Sequence, residues 1–311
     1  MAYGVEKRRV IACQVVADNP NHLIVAVTSG HEAALTSNQL WHRSSIHTVG
    51  RAYGQNVGMT LASGDLPIRI QICGPLAIEL GGQRLEGRLR GRQGRLLFTY
   101  LIVNRHRQVL RDELAEALWR EPDPAAIEAR LNPLLSKLRR VVGAEAVEGR
   151  STLRLHLGPA WVDLEAATDA IHRAESAVAQ RDWVRAWGPV LVALFVAERD
   201  FLPGEDAPWI DEIRHQLDDL HVRALECYAA AELGIAGSEL AGAVRAGRKL
   251  IRLAPLRESG YRYLIEALTA QDNLAEALHV YGQLRERLRD ELGVSPSPAT
   301  RELYERLLRA T

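Results

Sequence analysis

The sequence predicts a mainly helical protein in which a small part with mixed strands and helices precedes a longer all-helical part. Short runs with alternating apolar residues begin at residue 67. Helical patterns and a hairpin pattern follow up to residue 158, and nearly unbroken helical patterns fill residues 159–311. A period of two is typical of half-buried strands, whereas apolar residues three and four positions apart are typical of helices.

The composition is that of a globular protein, with 47% apolar and 25% charged residues. The longest apolar run, residues 190–197, is far shorter than the roughly 20 residues that a membrane helix needs. The three cysteines, Cys13, Cys73 and Cys227, are scattered and odd in number, so we expect neither a disulfide framework nor a metal site. We therefore expect a cytoplasmic protein without membrane contact.

Charge is distributed unevenly although 39 basic and 39 acidic residues cancel over the whole chain. The net charge is +1 for residues 1–66, +6 for residues 67–158 and −7 for residues 159–311. A basic segment beside an acidic one is typical of a nucleic-acid-binding domain. A chance fluctuation would give the same pattern, so charge alone leaves both explanations open.

Residues 1–66 show no clear period, apart from one strand-like run at residues 23–27. We expect them to form a poorly ordered N-terminal extension. Met59 directly precedes the first regular segment, so we also expect residues 1–58 to be dispensable or untranslated.

The segment from residue 67 onward begins with three short strands and two helices. Ile68, Ile70 and Ile72 alternate on one face of the first strand, and two further strands follow after Gly-Pro and Gly-Gly turns. The stretches "RQGRLLFTYLIVNRHR" and "LRDELAEALW" have the apolar spacing of the first and second helices.

The third helix carries an apolar stripe that spans about 120° of arc. The stripe consists of Ile127, Leu131, Leu134, Leu135, Leu138, Val141 and Val142. Proline removes a helical hydrogen bond, so Pro133 indicates either one kinked helix or a new helix that Asn132 caps. We favour one kinked helix because the leucine register continues through Pro133.

A hairpin pattern closes this segment, since "AVEG" and "TLRLHL" flank a Gly-Arg-Ser turn. Strands, three helices and a closing hairpin together predict a winged helix-turn-helix over residues 67–158. Arg150 and Arg154 stand in the hairpin, where arginine can enter a DNA minor groove.

The polar face of the third helix has the composition of a DNA-reading surface. It consists of Asn132, Ser136, Lys137, Arg139 and Arg140. Asn and Arg can read bases in the major groove, while Ser and Arg can hold phosphates. The alternative is the solvated face of an ordinary amphipathic helix.

An arginine cluster precedes and overlaps the first helix, with seven arginines and one acidic residue between Arg84 and Arg107. Its glycines resemble those of a phosphate loop, but the lysine of a nucleotide-binding loop is missing. We expect Arg92 and Arg95 to contact DNA phosphates. The alternative is a loop that only increases solubility.

Residues 159–311 contain long amphipathic helices and then helix pairs with short polar turns, in the style of 34-residue tetratricopeptide repeats. Such pairs stack into curved surfaces that bind proteins. Most of the aromatic residues of this part, including Trp209, Tyr281 and Tyr304, are expected to pack helix against helix. The alternative is a role in contacts between protomers or with a partner protein.

Several of these stretches resemble one bacterial regulator family. Residues 68–143, with "LLSKLRRVVG" at their end, resemble the OmpR-type winged helix of the Streptomyces antibiotic regulatory protein family. The stretches "DFLPGEDAPWIDEIRHQLDDLHVRALE" and "ELGVSPSPATRELY" resemble the bacterial transcriptional activator domain that follows it in that family. The wing sequence "RSTLRLHL" departs from the family pattern, which leaves the wing contacts open.

The resemblance implies a transcriptional activator that binds direct repeats in promoter DNA and recruits RNA polymerase, often for secondary metabolism. It places the polar residues of the third helix against DNA. It also implies that the loop after the second helix faces polymerase, with Trp119, Arg120, Glu121 and Asp123. We expect residues 67–158 alone to bind one repeat, and residues 159–311 to supply activation and self-association on tandem sites.

Two further classes of function compete with this one. A protein-interaction scaffold, with the winged helix as a docking module, is an alternative. An enzyme is not expected, because His42, His47 and His106 lie in no metal-binding or catalytic motif. No cofactor is implied.

Overall fold

The computed structural model describes residues 11–19, 22–29, 68–119 and 126–310. The chain divides into two compact units, Met1–Asp65 and Leu66–Thr311. In the first unit, strands β1 (Ile11–Asn19) and β2 (His22–Ser29) pair as an antiparallel hairpin. The predicted strand-like run lies within β2. Met59 and the remainder of residues 1–66 lie outside the described residues.

The second unit begins with a four-stranded sheet. Its strand order is β5 (Gln83–Arg84), β4 (Ala77–Leu80), β3 (Ile68–Gln71) and β9 (Ala160–Val162). Strand β3 pairs antiparallel with β4 and parallel with β9, which arrives from far along the chain. Ile70 and Ile72 are fully buried, as their alternation predicts.

Helices α1 (Arg92–Val103), α2 (Arg111–Leu118) and α3 (Ile127–Val142) follow the first three strands of this sheet. A second sheet closes the helix-turn-helix, with the order β6 (Val109–Leu110), β8 (Thr152–Leu155) and β7 (Val147–Glu148). Strands β7 and β8 are the predicted wing hairpin. This arrangement is the predicted winged helix-turn-helix.

Helix α3 is continuous through Pro133, so the prediction of one helix is confirmed. Leu131, Leu135 and Leu138 on its apolar stripe are buried, and Pro133 itself is exposed. The helix ends at Gly143, where φ is +106°, a backbone conformation that glycine adopts without strain.

The remaining chain is helical and stacks in chain order, so that each helix packs on the next. The helices are α4 (Asp163–Ala179), α5 (Trp183–Ala197), α6 (Pro208–Ile235), α7 (Leu240–Leu253), α8 (Glu258–Ala270), α9 (Leu274–Leu292) and α10 (Pro298–Ala310). One apolar cluster joins the last four helices. The predicted fold class, a winged helix followed by repeat-like helices, is confirmed. Among the described residues, no helix is both long and apolar enough to cross a membrane.

The aromatic residues of the helical part pack within the protein, as predicted for most of them. The rings of Tyr281 and Tyr304 stack with centroids 4.0 Å apart, and Tyr261 is almost fully buried. Trp209 lies at a junction with the winged helix. Its Nε1 donates to the Ala117 carbonyl at 3.1 Å, and its ring meets Tyr100 edge-on at a centroid distance of 5.1 Å.

The junction between the winged helix and the following helices is buried. The backbone N–H groups of Ile72 and Cys73, at the end of β3, donate to the fully buried carboxylate of Asp163 at 3.0 and 2.9 Å. Strand β9 and Asp163 lie beyond residue 158, yet β9 is the fourth strand of the sheet and Asp163 binds the backbone that follows β3. The division into domains at residues 158 and 159 stays a prediction.

Candidate DNA-binding surface

The solvent side of α3 presents Ser136, Lys137 and Arg140, all of them exposed. The Arg140 side chain makes a long hydrogen bond to the Ser136 carbonyl, with Nε 3.4 Å from the oxygen. Fully buried leucines on the opposite side anchor the helix, so these polar side chains are held outward by the packing of the core. They form a compact basic face that could enter a major groove.

Arg139 has a different position from these three residues. It is half-buried, and its Nε and Nη2 both lie 3.3 Å from the carbonyl oxygen of Val147 in the wing. Nη2 also donates to the Gly149 carbonyl at 3.4 Å. These bonds tie the end of α3 to the wing, so the structure favours a positioning role for Arg139. Its predicted contact with DNA stays a prediction.

Asn132 is exposed, but its amide is engaged within the protein. The amide oxygen accepts a hydrogen bond from Arg111, the first residue of α2. The amide nitrogen donates to Glu128 Oε2 at 3.1 Å. The sequence predicts that Asn132 reads bases but gives no sign of these two charged neighbours, and its contact with DNA stays a prediction.

The wing carries both of its predicted arginines on the surface. Arg150 is exposed, and its carbonyl accepts a hydrogen bond from Arg111 Nη1 at 3.0 Å. The Arg154 guanidinium turns toward the loop after α1 and donates from Nε to the Arg105 carbonyl at 3.2 Å. Of the two, the Arg150 side chain is the better placed for phosphate.

Arg92 and Arg95 lie at the start of α1 and pair with Glu205, which is only 8% exposed. Arg92 Nε lies 2.9 Å from one carboxylate oxygen, and Arg95 Nη2 lies 2.8 Å from the other. Arg92 also donates to the Asp206 carbonyl at 2.7 Å. Both arginines thus pair with an acidic residue of the loop before α6, whereas the sequence predicts contacts with DNA phosphates. Their contact with DNA stays a prediction that the geometry does not favour.

The loop that the resemblance assigns to polymerase begins at Trp119. This side chain is 9% exposed, and the Arg130 guanidinium covers its ring at 4.2 Å from the centroid. Trp119 itself therefore packs against Arg130 of α3, and its expected contact with polymerase stays a prediction. Arg120, Glu121 and Asp123 lie outside the described residues.

Electrostatic contacts link α1 and the loop after it to α2. The Tyr100 hydroxyl donates to Glu113 Oε1 at 2.6 Å, and Arg107 donates to Glu113 Oε2 at 3.0 Å. The hydrogen bond from Arg107 is the largest influence that lowers the pKa of Glu113 to about 2. Burial, followed by the bond to Glu113, raises the pKa of Tyr100 to about 12.

At the junction, burial raises the pKa of Asp163 from its ordinary value of 3.8 to about 6. Hydrogen bonds from the backbone N–H groups of Ile72, Cys73 and Leu164 oppose this shift, as does the charge of Arg199. Within the described ranges, no group of His, Cys, Asp or Glu side chains is arranged to hold a metal ion.

The chain is similar to several bacterial regulatory proteins. The family profile described as the bacterial transcriptional activator domain matches residues 162–308. Regulatory protein AfsR of Streptomyces griseus is 30% identical over 244 residues, which cover 78% of this chain and 25% of the relative. Transcriptional regulatory protein EmbR of Mycobacterium tuberculosis is 28% identical over 259 residues, which cover 76% and 62%.

A solved structure of Mycobacterium tuberculosis EmbR, in complex with a low affinity phosphopeptide, has the same fold. It superposes with a TM-score of 0.68 at 26% sequence identity, over 78% of this chain and 65% of that one. This chain thus spans a quarter of the length of AfsR and less than two thirds of EmbR.

Proposed function

We propose that this chain, which belongs to the Streptomyces antibiotic regulatory protein family of transcriptional regulators, activates transcription from promoters that carry direct repeats. Helix α3 binds each repeat in the major groove, and the wing contacts the neighbouring backbone. The helices after residue 162 hold protomers on adjacent repeats and recruit RNA polymerase, with genes of secondary metabolism as candidate targets.

The observation that carries this proposal is the exposed face of α3. Ser136, Lys137 and Arg140 project from a helix whose opposite side is fixed in the core, with Arg150 on the wing nearby in the fold. A rigid helix with short polar and basic side chains is what major-groove reading requires. The +6 charge of residues 67–158 supplies attraction to phosphates.

The charge asymmetry favours DNA binding by the winged helix rather than by the helices that follow. Residues 159–311 have a net charge of −7, which repels phosphates and suits contact with a protein. The same asymmetry argues against the scaffold alternative, because a docking module for proteins has no need of a basic reading face.

The test is the salt dependence of DNA binding by the full chain and by the double variant Lys137→Ala/Arg140→Ala. Removing one side chain that binds a phosphate should reduce the slope of log affinity against log salt by about 0.9. The matched control is Arg252→Ala/Arg301→Ala, which removes two exposed positive charges from α7 and α10. We expect a weaker affinity and a shallower slope only in the α3 variant. Equal slopes for the two variants would contradict the proposal, and absence of DNA binding by the wild-type chain would leave the scaffold alternative.

A further inference from the structure

Three side chains form a closed hydrogen-bonded ring beside the basic face of α3. Arg111 Nε lies 2.8 Å from Glu128 Oε1, and Arg111 Nη2 donates to Glu128 Oε2 at 2.9 Å. The same Nη2 donates to the amide oxygen of Asn132, and the amide nitrogen of Asn132 donates to the same Oε2 at 3.1 Å. The ring joins α2 to the first two turns of α3.

The ring fixes which way the Asn132 amide points. Its oxygen faces a guanidinium that can only donate, and its nitrogen faces a carboxylate that accepts. Rotating the amide by half a turn would place donor against donor and acceptor against acceptor. The observed orientation is therefore the only one that the two charged neighbours stabilise.

The ring also occupies the edge of the amide that a base would use. One donor, Arg111 Nη2, and one acceptor, Glu128 Oε2, lie 2.9 Å apart and contact the oxygen and nitrogen of the same amide. Adenine presents the same pair in the major groove, an amino donor beside the N7 acceptor, and asparagine reads it with this edge. The Arg111–Glu128 pair therefore takes the place that adenine would take.

The pair is more firmly held than an ordinary surface ion pair. Arg111 is only 15% exposed, and its third nitrogen, Nη1, donates to the Arg150 carbonyl in the wing at 3.0 Å. Glu128 is 64% exposed but stands in the first turn of α3, where a negative charge is favoured by the helix dipole. Displacing Arg111 from Asn132 would thus disturb contacts to α3 and the wing together.

We propose that Asn132 is a positioning residue and that the Arg111–Glu128 pair keeps it from reading adenine. This inference rests on the proposed binding of DNA by α3. Ser136, Lys137 and Arg140, one and two turns further along the helix, then supply the contacts of α3 with bases and phosphates. Asn132 then lies on the outward face of α3, as the sequence predicts, but it positions its neighbours and does not read a base.

The inference is tested by selecting binding sites from a randomised DNA library with the full chain and its variants. Asn132→Ala should weaken binding to all sequences alike and leave the ranking of bases unchanged. Arg111→Met, which keeps the length of the side chain but removes its donors, should create an adenine preference at one position of each repeat. The expected preference is roughly 5- to 150-fold, the range that corresponds to a bidentate contact of about 1–3 kcal/mol. The double variant Arg111→Met/Asn132→Ala should lose it.

Glu128→Ala provides a second route if Arg111→Met does not fold, because it frees the Asn132 amide nitrogen and removes the carboxylate that holds Arg111 against Asn132, without altering α2. It should produce the same adenine preference, and Asn132→Ala should again remove it. A changed base ranking in the single variant Asn132→Ala would overturn the inference, as would folded Arg111→Met or Glu128→Ala proteins that keep the wild-type ranking. If the wild-type chain selects a DNA sequence, either of these results would overturn the inference about Asn132 and leave the proposed function intact. A wild-type chain that selects no sequence would refute the proposed function and this inference together.

Discussion

Replacing Trp209 by alanine should destabilise the winged helix even though Trp209 belongs to α6. Its ring meets Tyr100 edge-on at 5.1 Å and Phe201 at 6.0 Å, and its Nε1 donates to the Ala117 carbonyl at 3.1 Å. Each aromatic contact contributes about 0.5–1.5 kcal/mol, and the hydrogen bond about 1 kcal/mol. The sum of these contributions is about 2–4 kcal/mol, a large part of the 5–15 kcal/mol that is typical of a domain.

The assay for this loss is urea unfolding followed by circular dichroism, combined with hydrogen exchange of the α2 amides. Trp209→Phe keeps a ring at this position and loses the indole N–H, so its expected cost is about 1 kcal/mol. Tyr304→Ala is the matched control, because it removes a stacked ring from the far end of the helical part. It should reduce protection in α9 and α10 and leave α2 unchanged. A Trp209→Ala protein with less than about 1 kcal/mol of destabilisation, or with wild-type protection in α2, would contradict this role of Trp209.

Three further predictions concern acid stability, the junction and the isolated winged helix. The pKa of Glu113 falls from 4.5 to about 2 on folding. The ionised carboxylate therefore adds up to about 3 kcal/mol to the free energy of unfolding above pH 4.5, and this stabilisation is lost as the pH falls toward 2. Glu113→Gln should therefore show a shallower loss of stability in that range, and a loss as steep as that of the wild type would contradict this. The pH dependence due to Asp163 runs the other way, because folding raises its pKa to about 6. The free energy of unfolding should fall by up to about 3 kcal/mol as the pH rises from about 4 to 6. Equal curves of stability against pH for Asp163→Asn and the wild type would contradict this. Residues 67–158 alone lack β9, Asp163 and Trp209, so, in contrast to the expectation from the sequence, this fragment should show no cooperative unfolding; a sharp urea transition or full affinity for a single repeat would contradict that.

Sequence patterns predicted the elements whose residues interact locally. The leucine stripe of α3, the alternation of β3 and the turn between β7 and β8 each involve neighbours within a few positions, and all three have the predicted structure. Helix α3 stays continuous at Pro133 because Leu131, Leu135 and Leu138 hold both of its halves in one core.

The roles of the charged residues were harder to predict, because their partners lie far away in sequence. Glu205 is more than 100 positions from Arg92 and Arg95, and no periodicity signals that the loop before α6 would return to α1. Arg139 pairs with the wing only because the hairpin folds back on α3. Arg111 and Glu128 were missed entirely; the signal available was an acidic residue in the first turn of a helix that was expected to face DNA.

Helix α3 is proposed to direct this chain to particular promoter sequences. The most direct measurement is genomic footprinting, in which purified full chain binds sheared genomic DNA and the bound fragments are sequenced. We expect the recovered fragments to share a direct repeat upstream of promoters, and Lys137→Ala/Arg140→Ala to lose this enrichment while Arg252→Ala/Arg301→Ala retains it. Fragments without a shared repeat, or the same set recovered equally well by the α3 variant, would contradict this role of α3.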